Sequence, residues 1–198
     1  SPLLSADRIS PLSSRLGEAR RDASVATREH LRTWMLFNDA ELHRRLRAPV
    51  GRSFTPRRVE RLRGLCAELV DELLAPVAGL DVVDLQQQLF APLPAMMIAE
   101  LLGVARSDTA SLQEWSDQLG LFVLGAARAD QADTAAAATA ELIAYFEALV
   151  ERRRHEPGED LVSALVDAER RGELEPHEVV GAATMLLFAG HEIGRAHV

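Results

Sequence analysis

The chain has 198 residues and a formal charge of −8, because 30 aspartates and glutamates outnumber 22 lysines and arginines. This length suffices for one domain with a sizeable core, and the negative charge argues against a nucleic-acid partner. No apolar stretch reaches the roughly 20 residues that cross a bilayer, and residues 1–7 lack the pattern of a signal peptide. We therefore expect a cytoplasmic protein that binds neither nucleic acid nor membrane.

The composition favours an all-α fold. Apolar residues make up 47% of the chain and aromatic residues only 5%, and the dominance of alanine and leucine is typical of helices. Cys66 is the single cysteine, so the chain cannot form an internal disulfide.

The first thirty residues show little periodicity, and we expect them to be irregular with one short helix. Asn38 or Asp39 can then cap a helix that runs through Arg47. His43 and Arg47 are four residues apart, so they share one face and could hold a single anionic group by charge-assisted hydrogen bonds. Spacing alone favours the simpler alternative, in which both side chains face water.

The next helix begins at Phe54-Thr55-Pro56, with Thr55 as N-cap and Pro56 as the first helical residue. Apolar residues at helical spacing predict its buried face, formed by Val59, Leu62, Cys66, Leu69 and Leu73. We expect Cys66 to be a core thiol, because no neighbour would stabilise a thiolate.

Four further helical segments are predicted before the last helix. The segment 86–103 contains Pro92 and Pro94, which predict a kink or two separate pieces because proline disrupts a helix interior. The next helix begins at Ser107, a longer one ends in three arginines, and a short one begins after Asp160. The predicted core residues of the segments are Met96, Met97, Ile98, Leu101, Leu102, Leu112, Trp115, Leu119, Phe122, Leu142, Tyr145, Phe146, Leu149 and Val150.

The last helix carries an unusual stretch. A long apolar run, residues 179–188, gives way to Ala189-Gly190-His191-Glu192. Glycine inside a helix costs about 1 kcal/mol relative to alanine, so the small pair indicates a place where something needs space, with an acid beside it. The alternative is that Gly190 packs closely against a neighbour or starts the helix end.

Three stretches in this order resemble one family: residues 43–56 with the His-Arg pair and the Phe-Thr-Pro turn, residues 92–104, and residues 186–192. They are similar to bacterial cytochrome P-450 enzymes, the haem-thiolate monooxygenases. The resemblance covers the chain from about Trp34 to Glu192. It implies the helical part of the mainly-α P-450 fold, ending in the central helix over the haem.

The resemblance also assigns roles to individual residues. It implies that His43 and Arg47 bind the propionates of haem b, and that Glu192 is the catalytic acid of proton delivery. The pocket for oxygen and substrate over the haem would be lined by Met185, Ala189 and Gly190. The intact enzyme would insert one oxygen atom from O₂ into a small organic substrate, with electrons from a separate ferredoxin- or flavodoxin-type protein.

The chain departs from the family pattern at its end. Ile193 stands where the proton relay has a threonine, and residues 193–198 resemble nothing that should follow. The loop with the haem-ligand cysteine is absent, so we expect no metal ligand in this chain, Cys66 included. Residues 1–192 are therefore expected to be a partial cytochrome P-450 domain, inactive alone, and residues 193–198 a non-native tail.

Two other functions fit parts of the pattern. A non-catalytic helical scaffold or interaction domain explains the amphipathic helices, but it gives no reason for the motifs to occur together. A metallohydrolase could use His191 and Glu192, but no other ligands stand at suitable spacing.

Overall fold

The computed structural model describes Ala6, Ile9, residues 25–123 and residues 131–192. These residues contain helices and no strand, which confirms the all-α prediction. The α-helices are α1 (Val25–Arg32), α2 (Ala40–Ser53), α3 (Pro56–Leu74), α4 (Pro92–Leu102), α5 (Thr109–Val123), α6 (Ala132–His155), α7 (Leu161–Arg170) and α8 (Pro176–Glu192). Among them is no helix with the length and apolarity needed to cross a membrane. The prediction about the tail, residues 193–198, falls outside the described residues.

Helix α8 lies at the centre of the described fold. Residues 179–188 are apolar on all sides except at Gly181 and Thr184, which is the pattern of a helix surrounded by protein. Helices α2, α4, α5, α6 and α7 all pack against it. Its apolar residues are buried, namely Val179, Val180, Ala182, Ala183, Met185, Leu186, Leu187 and Phe188.

Helices α5 and α6 lie along each other, and α7 packs against α6, α8 and α2. The predicted core residues of α5 and α6 are buried, except that Trp115 and Tyr145 are partly buried and pack against the core. The Tyr145 hydroxyl donates to Oδ2 of Asp108 at 2.9 Å. Burial and this hydrogen bond raise the pKa of Tyr145 to about 12.

Helix α2 is longer than its sequence pattern predicts. It begins after Asp39, but it continues through Pro49 to Ser53. The Asp39 side chain does not cap it; its two carboxylate oxygens accept from the N–H of Ala6 at 2.9 and 3.1 Å. A proline inside a helix is costly, but Pro49 and Val50 are both buried. Burial of these side chains therefore outweighs the tendency of proline to interrupt a helix.

The buried face predicted for α3 is wrong for most of its residues. Leu69 is buried, but Val59 is 52% exposed. Leu62, Cys66 and Leu73 are only half-buried. The reason is that α3 lies at the edge of the described fold, where its main neighbours are α4 and two short turns. Cys66 is therefore not a core thiol.

The predicted helix ends agree better with the structure. Oγ1 of Thr55 accepts from the N–H of Arg58 at 3.2 Å, and Oδ1 of Asp160 accepts from the N–H of Ser163 at 2.7 Å. The segment with two prolines is divided into a π-helical turn and α4, and α4 ends at Gly103, whose φ is +75°. The two predicted N-caps and the predicted division of the segment are confirmed.

An ion pair that sequence reasoning missed joins α2 to the start of α8. The Arg45 guanidinium donates to both carboxylate oxygens of Glu178, one of them at 2.7 Å. Burial works to raise the pKa of Glu178, but the hydrogen bonds from Arg45 and from the N–H of Glu175 outweigh it. The pKa of Glu178 therefore falls below its ordinary value. A carboxyl group whose pKa is lowered by folding is ionised at neutral pH and stabilises the fold there.

Replacement of Arg45 by methionine should lower the free energy of unfolding at neutral pH by about 1.5 kcal/mol. This is the low end of the range for hydrogen bonds to charged groups, because the Arg45 side chain is 41% exposed. The loss should shrink as the pH falls below the ordinary carboxyl pKa of 4.5. A carboxyl group with a lower pKa in the folded than in the unfolded state stabilises the fold above the unfolded-state pKa, and this contribution is lost as the pH falls through the folded-state pKa. Urea unfolding at several pH values measures this.

The matched control is Arg44→Met, because Arg44 pairs with Glu41 on the same helix in an exposed i,i+3 contact. We expect it to change stability by less than about 0.5 kcal/mol. Equal losses in the two variants would contradict a special role for the Arg45–Glu178 pair.

Candidate functional site

An open apolar pocket lies where the end of α2, helix α4 and the end of α8 meet. Its volume is about 390 Å³, and it is lined by Phe54, Leu93, Pro94, Met97, Ile98, Leu101, Leu186, Ala189 and Gly190. Phe54 belongs to the Phe-Thr-Pro turn, and Ala189 and Gly190 are the small pair of the last helix. The fold thus brings together two stretches that the sequence singles out.

A close contact between α4 and α8 requires glycine at position 190. A Cβ at this position would lie 2.6 Å from both Cβ and Cγ1 of Ile98, which is well inside van der Waals contact. Close packing, the alternative considered for Gly190, therefore accounts for this residue. Ala189 beside it is exposed and lines the pocket.

Gly190→Ala should lower the free energy of unfolding by about 1–3 kcal/mol, because overpacked helix contacts cost this much. The matched control is Gly64→Ala on α3, where a Cβ would meet no atom within 4 Å. There the better helix propensity of alanine should raise stability by up to about 1 kcal/mol. Urea unfolding of both variants checks this, and changes of the same sign would contradict the close contact.

Two further residues have predicted roles, Met185 in the oxygen pocket and Glu192 in proton delivery. Met185 is 4% exposed and belongs to the hydrophobic core, and it is not among the residues that line the pocket. Glu192 is the last residue of α8, but its carboxylate lies outside the described part of the structure. The roles expected for both residues stay predictions.

His43 and Arg47 lie on one face of α2, as their spacing predicts. Arg47 is exposed, and its guanidinium makes no hydrogen bond or ion pair with any described residue. His43 is half-buried, and its Nδ1 lies 2.9 Å from the carbonyl oxygen of Met35. A carbonyl oxygen only accepts, so Nδ1 carries a proton in this contact. The Arg47 guanidinium and the second ring nitrogen of His43 are the groups that an anion could bind.

Helix α8 also contacts α5 through a pair that sequence reasoning missed. His191 is 2% exposed, and its Nδ1 lies 3.4 Å from Oδ1 of Asp117. The last turn of α8, next to Ala189, therefore packs against α5. No three His, Cys, Asp or Glu side chains converge as a metal site within the described ranges.

A buried polar cluster, which the sequence did not single out either, joins α8 to the segment before α2. The indole N–H of Trp34 donates to Oγ1 of Thr184 at 3.2 Å, and Nε2 of His30 lies 2.8 Å from the same oxygen. All three side chains are buried. Burial lowers the pKa of His30 to about 4, so the imidazole is neutral at physiological pH.

Proteins of similar sequence are bacterial cytochrome P450s, although no protein-family model matches the chain. Cytochrome P450 107B1 of Saccharopolyspora erythraea is 35% identical over 182 residues, which are 91% of this chain and 43% of that protein. The cytochrome P450 monooxygenase PikC of Streptomyces venezuelae is 43% identical over 162 residues, 80% of this chain and 37% of that protein. The chain thus spans about two fifths of the length of the curated relatives it matches.

Solved structures give the same result. The structure of CalO2 superimposes with a TM-score of 0.79 at 31% identity, covering 94% of this chain and 50% of the other. P450BioI, solved with an acyl carrier protein that bears hexadec-9Z-enoic acid, superimposes with a TM-score of 0.78 at 28% identity, covering 89% and 44%. This chain belongs to the cytochrome P450 family.

Proposed function

We propose that the protein containing this chain is a haem-dependent monooxygenase that inserts one oxygen atom from O₂ into a small organic substrate. The observation that carries the proposal is the pocket of α2, α4 and α8, in which the Phe54 turn faces the Ala189–Gly190 pair. Named relatives support the reaction, since they include the monooxygenase PikC, 6-deoxyerythronolide B hydroxylase and vitamin D(3) 25-hydroxylase. A non-catalytic scaffold would not account for these relatives.

The described residues fit a porphyrin in two respects. Haem b combines an apolar macrocycle with two carboxylates, and this chain offers an apolar pocket together with the cationic Arg47 and the ring of His43 on one helix face. When bound, the haem iron supplies the activation of O₂. We propose that His43 and Arg47 bind the propionates, that Ala189 leaves room for oxygen and substrate, and that Glu192 serves proton delivery.

The iron ligand is the part that this chain does not offer at the pocket. Cys66 is its single cysteine, and it lies half-buried on α3, away from the residues that line the pocket. Haem of this family needs an axial thiolate. We therefore propose that the ligand comes from a part of the protein beyond these residues, and that the 198-residue chain alone is inactive.

The apolar lining of the pocket indicates the class of the substrate. An apolar lining favours a hydrophobic substrate, and relatives named for hydroxylating 6-deoxyerythronolide B and vitamin D(3) are consistent with one. We propose a separate electron donor of the ferredoxin or flavodoxin type, and a cytoplasmic location. One structural relative, P450BioI, binds an acyl carrier protein that bears hexadec-9Z-enoic acid.

Incubation of the full-length gene product with ¹⁸O₂, a surrogate ferredoxin system and a panel of hydrophobic substrates tests the reaction. A monooxygenase should place one ¹⁸O atom in the product, with the other atom reduced to water. Product oxygen that derives from water instead of O₂ would contradict the proposal.

The double variant His43→Ala/Arg47→Ala should speed haem loss from the full-length gene product by about 10- to 100-fold. Two charge-assisted hydrogen bonds to propionates would be lost, and each is worth about 1.5–3 kcal/mol when buried and less when exposed. Transfer of haem to excess apomyoglobin measures the rate. Arg44→Ala, on the same helix but paired with Glu41, is the control. An unchanged rate in the double variant would show that His43 and Arg47 face solvent.

A further inference from the structure

A continuous set of contacts leads from the central helix α8 to His43. Thr184 of α8 accepts from the Trp34 indole at 3.2 Å. The residue after Trp34 is Met35, whose carbonyl oxygen lies 2.9 Å from Nδ1 of His43. Each contact is between buried or half-buried groups, where a lost hydrogen bond is expensive.

The Thr184 hydroxyl can satisfy all of its partners at once. Its oxygen has two lone pairs, which accept from the Trp34 indole and, when the His30 proton is on Nε2, from His30 as well. Its proton goes to the carbonyl oxygen of Val180 or Gly181, at 3.1 and 3.0 Å. A saturated cluster of this kind favours one arrangement of its members, so it fixes Trp34 relative to α8.

The turn after Trp34 is fixed in the same way. Trp34 stacks on Phe37 and contacts Phe188 of α8, with ring centroids 5.9 and 5.2 Å apart. The carbonyl oxygen of Trp34 accepts from Nδ2 of Asn38 at 2.7 Å and from the N–H of Phe37 at 3.1 Å. The Met35 carbonyl therefore has a defined position, and it is this group that His43 meets.

We infer that Thr184 and Trp34 are positioning residues for His43, holding it with Nδ1–H on the Met35 carbonyl so that only Nε2 can meet an anionic group. The inference rests on the proposed role of His43 towards the haem propionates. With Nδ1 protonated, a neutral ring leaves Nε2 as an acceptor, which a carboxylate repels. His43 therefore binds the propionate as an imidazolium. The charged residues within one turn of it are Asp39, just before α2, and Glu41, Arg44, Arg45 and Arg47 on α2, and the turn at 35–37 has none.

The test is a double-mutant cycle on haem loss from the full-length gene product. Thr184→Val removes the hydroxyl with little change of shape, and we expect it to speed haem loss about 3- to 10-fold, the effect of one hydrogen bond. In the His43→Gln background the same change should have no effect, because its target is gone. An equal factor in both backgrounds, or none in either, would overturn the inference. Thr139→Val, which removes another buried threonine hydroxyl, bonded to Ala135 and Thr27, should leave the rate unchanged.

A second readout tests the orientation of the ring directly. Long-range ¹H–¹⁵N correlation spectra of the ferrous carbon-monoxide form, labelled with ¹⁵N-histidine, report which ring nitrogens of His43 carry protons. We expect both to be protonated in the parent protein. A neutral ring with a bare Nδ1 would overturn the inference even if His43→Gln loses haem quickly. Slow haem loss in His43→Gln, with Nδ1 protonated in the parent, would instead overturn the proposed binding of a propionate by His43.

Discussion

Burial of α8 is the constraint on which the rest of the structure depends. A helix that is apolar all round is stable only with protein on every side, and five other helices surround this one. Two neighbouring segments approach α8 closely at positions where it has a glycine. A Cβ at Gly181 would lie 1.7 Å from Oγ1 of Thr33, and a Cβ at Gly190 would lie 2.6 Å from Ile98. The two glycines, near opposite ends of α8, therefore set the distance to the segment before α2 and to α4.

Polar contacts then fix the helix along its length. The Arg45–Glu178 pair holds its first turn to α2, and the Thr184 cluster holds its middle to Trp34. In its last turn, Nδ1 of His191 lies 3.4 Å from Oδ1 of Asp117 on α5. The same α2 that carries Arg45 presents His43 and Arg47 on another face. The position of α8 thus determines both the pocket at its end and the placement of the proposed propionate ligands.

Patterns among neighbouring residues predicted much of this arrangement. They did not predict features that depend on residues far away in the sequence. Thr55 and Asp160 cap their helices as expected, since each accepts from an N–H three residues further along the chain. Asp39 accepts instead from the distant Ala6 N–H. Burial of Val59 and Cys66 was predicted wrongly, since helical spacing shows which residues share a face but not whether another element covers it. Thr184 gave no signal at all, because its partners Trp34 and His30 lie far away in sequence. Of the three pocket residues that the resemblance implied, Ala189 and Gly190 line the observed pocket and Met185 does not.

The central claim is that α8 crosses a haem bound beside the Ala189–Gly190 pair, with its thiolate supplied by a residue other than Cys66. The absorption spectrum of the full-length gene product, reduced and exposed to carbon monoxide, tests this most directly when recorded for the parent and for Cys66→Ser. The account predicts the band of a thiolate-ligated haem in both proteins. A parent protein that binds no haem, or a thiolate band that disappears in Cys66→Ser, would contradict it.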